Sequence, residues 1–212
     1  MTVLITGTSR GIGAGLANAY RARGEDVIGT TRAGEWALDV TDPASHSALA
    51  ERLAGKPIDL LVCNAGVFLD KGNAIDTGYG ADLWAASFAA NVTGVFLAIQ
   101  SLLPNLKKAG NGRIAIISSQ MASSTHAPGG SYIYRASKAA VLNLGRNLSA
   151  DLQSDDIAVG IYHPGWVTTD MGGASADIDV EEAVSGLIAR FDALELTTTG
   201  VFETWDGRTH PF

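Results

Sequence analysis

Cysteine is all but missing: Cys63 stands alone, so no disulfide can form within the chain and a reducing, cytoplasmic setting is expected. Basic residues are also few. Fifteen Lys and Arg against 22 Asp and Glu leave a net charge of −7 and a pI of about 5.0, which argues against a general affinity for nucleic-acid phosphates. The sequence shows no uninterrupted apolar run of the roughly 18 to 20 residues a bilayer span needs. The opening MTVLITGTSRGIG has neither a basic n-region nor a cleavage pattern, so neither membrane insertion nor export is expected. The four histidines form no HExxH pattern, and one cysteine makes no zinc cluster, so no metal is assigned. Solenoid repeats and low-complexity tails are absent. What is present is globular: 212 residues, 46% hydrophobic and 17% charged, enough for one domain with a sizeable core.

Along the chain, strands and helices alternate without a linker. Thr2–Thr6 is a short β-branched run that reads as a buried strand ending at Gly7. A helix follows, with Ile12, Leu16, Ala19 and Tyr20 on one face and Gly24 as its C-cap. Asp26–Thr31 is a second strand, which completes a βαβ unit. Further strands are expected at Trp36–Val40, Ile58–Cys63, Arg113–Ser118, Ile157–Tyr162 and Gly200–Glu203. Helices are expected from Pro43 to about Ala54, from Ala81 to about Lys108, over the segment containing Tyr134, and at Glu181–Leu194. Pro104 is expected to kink or shorten the second of these. Six or seven strands alternating with helices predict a single-domain α/β fold with a doubly wound parallel sheet.

In such a sheet, ligands bind beyond the carboxyl ends of the strands. The first of these junctions carries Gly7, Gly11 and Gly13, which let the backbone approach a pyrophosphate at a helix N-terminus. The spacing is neither the standard dinucleotide fingerprint nor a P-loop. Thr31 and Arg32 stand where a strictly NAD-binding chain would place an acidic residue. Arg32 with Arg10 suits a ribose 2′-phosphate, so NADP(H) is favoured and NAD(H) is the alternative; as plain surface charges the two arginines would read nothing. Asp39 is either a partner for an adenine amino group or a turn residue, and Asn64-Ala65-Gly66 is either a cofactor contact or an ordinary strand-ending turn. Cys63 beside them reads as a small core hydrophobe. Asn91 is a poor helix-interior residue unless its side chain has a partner. Ser118 and Ser119 end a strand on the same edge, where a hydroxyl can polarise a carbonyl or simply cap a loop.

YRASK, Tyr134 to Lys138, puts a phenol and an ammonium on one face of a helix. A cation held beside a phenol favours the phenolate and makes the tyrosine a usable acid or base. Tyr132 has no lysine four residues on; Tyr134 does. After the sixth expected strand, His163-Pro164-Gly165 leads into a loop whose Trp166 and Met171 can line a substrate wall.

Taken together, these motifs resemble the short-chain dehydrogenase/reductase family over essentially the whole length, in particular the subgroup of carbonyl reductases similar to sniffer and C-factor. The family's Thr-Gly-x-x-x-Gly-x-Gly appears as Thr6, Gly7, Gly11 and Gly13, and its Asn-Asn-Ala-Gly as Cys63, Asn64, Ala65 and Gly66. The resemblance implies an active-site set of Asn91, Ser119, Tyr134 and Lys138. It implies cofactor contacts from Gly7, Ser9, Arg10, Gly11, Ile12, Gly13, Arg32, Asp39, Val40, Asn64, Ala65, Gly66, Tyr134, Lys138, Pro164, Gly165, Val167 and Thr169. The expected reaction is NADPH-dependent reduction of an aldehyde, ketone or quinone to an alcohol, with Tyr134 as general acid. In that scheme Lys138 lowers the tyrosine pKa and holds the nicotinamide ribose, Ser119 binds the carbonyl oxygen, and Asn91 holds a water on a proton path. A homodimer or homotetramer through the two long helices is the family habit. Two departures stand out: Cys63 replaces the first Asn of its motif, and Ser119 lies fifteen residues before Tyr134, two more than is commonest, which keeps Ser118 in play. The rival reading is a non-catalytic dinucleotide-binding regulator or signalling protein on the same fold. An epimerase or dehydratase would carry a substrate domain after His163-Pro164-Gly165, and little chain follows there.

Overall fold

The alternating segments assemble into one parallel sheet of six strands, described by a computed structural model of residues 1–212. The strands are β1 (Thr2–Ile5), β2 (Asp26–Gly29), β3 (Leu60–Cys63), β4 (Arg113–Ile117), β5 (Ala158–His163) and β6 (Phe202–Thr204), in the order β2-β1-β3-β4-β5-β6. The chain leaves β1 toward one edge, then returns past it to β3. This reversal places the switch point between β1 and β3, where Ile5 pairs with Val62.

Alternate residues of each strand serve opposite faces, and both faces are covered. Val3, Ile5, Leu60 and Val62 pack against Leu16 and Tyr20 of α1 (Gly11–Ala22) and against Val184, Leu187 and Phe191 of α6 (Val180–Asp192). Leu4, Leu61, Ile114 and Ile116 face α2 (Pro43–Arg52), α4 (Gly94–Ala109) and α5 (Tyr132–Asp151), meeting Leu49, Leu102, Leu106 and Val141. Cys63 belongs to this second layer, and burial pushes its thiol up to about 12.

Two expected elements differ. The Trp36–Val40 segment is no strand: one bridge joins Thr31 to Ala37, and the chain then turns at Asp39, whose carboxylate accepts from the Thr41 amide. The left-handed Gly34 breaks the extended run before a ladder can form. The sheet therefore has six strands, within the six or seven expected. The long helix expected from Ala81 is also interrupted. It runs as α3 (Ala81–Phe88), one π turn over Ala89–Thr93, and then α4, which continues past Pro104 to a left-handed Gly110. Taken together, Ala81–Ala109 is a 29-residue segment long and apolar enough, by length and composition alone, to cross a membrane, although polar residues interrupt its apolar run throughout. In this fold it is a core helix packed on the sheet.

Gly145 sets how closely α5 approaches the sheet. A Cβ there would stand 2.6 Å from Ile161 Cγ1 and 3.1 Å from Ile116 Cδ1. Gly145→Val is expected to destabilise the protein by about 1–3 kcal/mol, as overpacking does, measured as a lowered urea midpoint.

Candidate active site

The carboxyl ends of β1 and β3 are joined by side-chain hydrogen bonds. Thr6 Oγ1 accepts from the amides of Asn64 and Ala65, both at 3.0 Å. Asn64 Nδ2 returns to the carbonyls of Thr6 at 2.9 Å and Gly7 at 3.0 Å. Asn64 thus braces the glycine turn. Gly7 adopts a left-handed φ of 74°, and a Cβ on Gly13 would lie 2.2 Å from the Gly7 carbonyl oxygen. Only hydrogen fits there, so α1 begins directly behind the turn with its first amides facing outward.

Over this edge lies a cleft of about 640 Å³. Its floor is Gly7, Ser9, Arg10, Gly11, Ile12 and Gly13; one wall is Arg32, Asp39 and Val40; the other side holds Asn64, Ala65, Gly66, Pro164 and Thr169. Tyr134 and Lys138 line its inner end. Two expected cofactor contacts do not line it. Val167 is buried, bridged to Ile178, and a side chain on Gly165 would strike Ile178 and Trp205, so both shape the loop beneath. A cleft of similar size at the opposite edge, lined by Met1, Asp59, Arg113 and Glu195, has no strand-to-helix turn in it.

The charges around the cleft are specific. Hydrogen bonds from the Thr41 amide and hydroxyl hold Asp39 below its ordinary range, with Arg32 adding to the effect. Arg32 is exposed at the rim. Arg10 is paired at 2.8 Å with Asp170 of the loop after β5, an exposed contact of small energetic value.

At the inner end, Lys138 is buried and its Nζ donates to the Ile117 carbonyl at 2.9 Å. Burial pulls its pKa down to about 8. Tyr134 moves the other way, pushed up to about 12 by burial, while a hydrogen bond with Ser119 lowers it and the Asp70 charge raises it. The expected lowering of the phenol by Lys138 is therefore not the dominant effect. The ammonium points to a backbone carbonyl and sits over the ring, 5.7 Å from its centroid. The two serines are also separated: Ser118 Oγ donates to the Lys138 carbonyl at 3.0 Å, whereas Ser119 faces the phenol.

Asn91 sits in the π turn, fully buried. Its Oδ1 accepts from Val67 N at 2.8 Å, and its Nδ2 donates to the Val67 carbonyl and to Ser137 Oγ. Its side chain clamps the loop after β3 onto α5, and the π turn is what aims it inward. That loop holds two residues the sequence reading passed over. Phe68 stacks on Tyr134 with centroids 4.1 Å apart, and the buried Asp70 accepts from the amides of Ile133 and Tyr134. No local pattern announces either, since their partners lie more than 60 residues away.

The family model for short chain dehydrogenases matches residues 1–178. The chain belongs to the short-chain dehydrogenases. Among solved dehydrogenases of similar fold is the NADPH-bound carbonyl reductase from chicken fatty liver, 31% identical with a TM-score of 0.90, covering 100% of this chain and 98% of that one. The carbonyl reductase Sniffer of D. melanogaster is 26% identical with a TM-score of 0.92, covering 100% and 99%. The C-signal of Myxococcus xanthus is 34% identical over 78% of this chain and 99% of its own length. The expected membership and its carbonyl-reductase resemblance are thus borne out.

Thr6→Val keeps the shape but removes the acceptor shared by two amides. It is expected to cost about 2–4 kcal/mol in urea unfolding, the penalty of stranding partly buried donors.

Proposed function

We propose that this dehydrogenase reduces a small-molecule carbonyl compound, an aldehyde, ketone or quinone, to its alcohol with NADPH. The single observation carrying this reading is the meeting, in one cleft, of the glycine turn with Tyr134 and Lys138. The cradle closed to any Cβ at Gly13 and the outward amides of α1 fit a pyrophosphate. The exposed Arg32, where an NAD reader would be acidic, fits a 2′-phosphate, and the NADPH carried by the chicken enzyme agrees with it.

NADPH supplies the hydride. Tyr134, kept protonated by burial, gives its phenolic proton to the carbonyl oxygen as charge develops there. Ser119, beside the phenol, donates a hydrogen bond to the same oxygen. Lys138 holds the nicotinamide ribose hydroxyls with its ammonium. Asn91 keeps Val67 and α5 in register around them. Met171 at the cleft and the exposed Trp166 offer an apolar wall to the substrate. We read the protein as cytoplasmic and homo-oligomeric through α4 and α5, the first of which exposes Phe96.

A second reading, a signalling protein that binds a dinucleotide without turnover, is favoured by the likeness to the C-signal. A pure sensor needs no buried phenol with a serine against it, so the reductase is preferred.

Tyr134→Phe is expected to bind NADPH with unchanged affinity, by fluorescence titration, and to lose carbonyl reduction by at least about 100-fold. Turnover near wild type would reject the assignment. Arg32→Asp is expected to shift the ratio of kcat/KM for NADPH over NADH toward NADH by about tenfold or more, the worth of one charge-assisted pair; an unchanged ratio would remove Arg32 as the phosphate reader.

A further inference from the structure

The helix carrying Tyr134 starts without a cap of its own. Gly129, Gly130 and Ser131 all enter it in the left-handed region, and Ser131, at the N-cap position, makes no side-chain hydrogen bond to the first turn. A non-glycine residue held there costs about 1 kcal/mol, so the surroundings must enforce the conformation. The missing cap comes from the loop after β3. Asp70 is fully buried; its Oδ2 accepts from Ile133 N at 2.9 Å, and its Oδ1 accepts from Tyr134 N at 3.2 Å. These are the orphan amides of the first turn, at the positive end of the helix, where a carboxylate is favoured. One of the two belongs to Tyr134 itself.

We propose that Asp70 is the positioning residue for the Tyr134 proton donor: its carboxylate fixes the first turn of α5 and sets a buried charge at the backbone amide of the tyrosine. The inference rests on the reading of Tyr134 as general acid. The two charged groups facing the tyrosine are Asp70, from the loop after β3, and Lys138, from its own helix. Ser119 brings a hydroxyl from the loop after β4, and Phe68 covers the ring. With Lys138 turned to the Ile117 carbonyl, the Asp70 charge is the one that opposes ionisation of the phenol, which keeps the proton available for reduction. A neutral aspartate replacement therefore has a signature that a purely structural cap lacks.

The test is a pH titration of the 13Cζ resonances in tyrosine-labelled protein, with Tyr134 assigned by Tyr134→Phe. Asp70→Asn removes the charge while its side-chain oxygen can still accept from the amides of the first turn, so α5 stays anchored; Asp70→Ser removes charge and reach together. The expected result is a downward displacement of the Tyr134 titration by about one pH unit in the neutral variants, the size of a like charge at short range in a partly screened site. The basic limb of kcat/KM for carbonyl reduction moves down with it. An unmoved Tyr134 titration in a folded neutral variant overturns the proposal. The titration needs no turnover, so failure of the reductase reading, seen as no reduction of any carbonyl by the wild type, is a separate result.

Discussion

The active edge depends on how the ends of β1 and β3 are held to each other. Parallel strands finish with free carbonyls and amides, and at a switch point the two chains diverge into different loops. Thr6 and Asn64 close that gap from both sides, each serving the other's backbone. The left-handed Gly7 and the bare Cα of Gly13 then follow from lack of space. Losing either side chain leaves donors or acceptors stranded under the floor of the cleft, so fold stability and the shape of the cleft rest on the same few atoms.

A second brace complements the first. The loop after β3 passes from this crosslink to α5 and is fastened three times: Asn91 holds the Val67 backbone, Phe68 lies on the tyrosine ring, and Asp70 holds the first turn of α5. Phenol, serine and lysine therefore come from two elements but are registered by a third. Burial then sets the protonation states, raising Tyr134 and lowering Lys138. Desolvation acts on both because each prefers its neutral form away from water.

The legible parts of the sequence were those written locally. Gly7, Gly11 and Gly13 sit within one turn, and Tyr134 and Lys138 within one helical repeat, so strand, turn and helix periodicities announced them. Asn91 was legible only as an oddity, an amide in an apolar helix. Its reason, the π turn, adds no pattern that a period of 3.6 can show. Trp36–Val40 has the composition of a strand but lacks the length to complete one between Gly34 and the Asp39 turn. Asp70 and Phe68 act on partners far along the chain, and only the fold brings them together. Ser118 and Ser119 likewise differ only in the fold: Ser118 gives its proton to the Lys138 carbonyl, whereas Ser119 accepts from Met121 N and keeps its own.

The proposed reaction needs a nicotinamide to meet a carbonyl at the inner end of this cleft, beside Tyr134 and Lys138. Its most direct test is a crystal structure of the protein grown with NADPH. The expected result is the pyrophosphate on the Gly7–Gly13 turn, the 2′-phosphate beside Arg32, and the nicotinamide ribose on Lys138, with the ring open toward the Tyr134 hydroxyl. A dinucleotide bound with its nicotinamide turned away from Tyr134, or lodged outside this cleft, would contradict it.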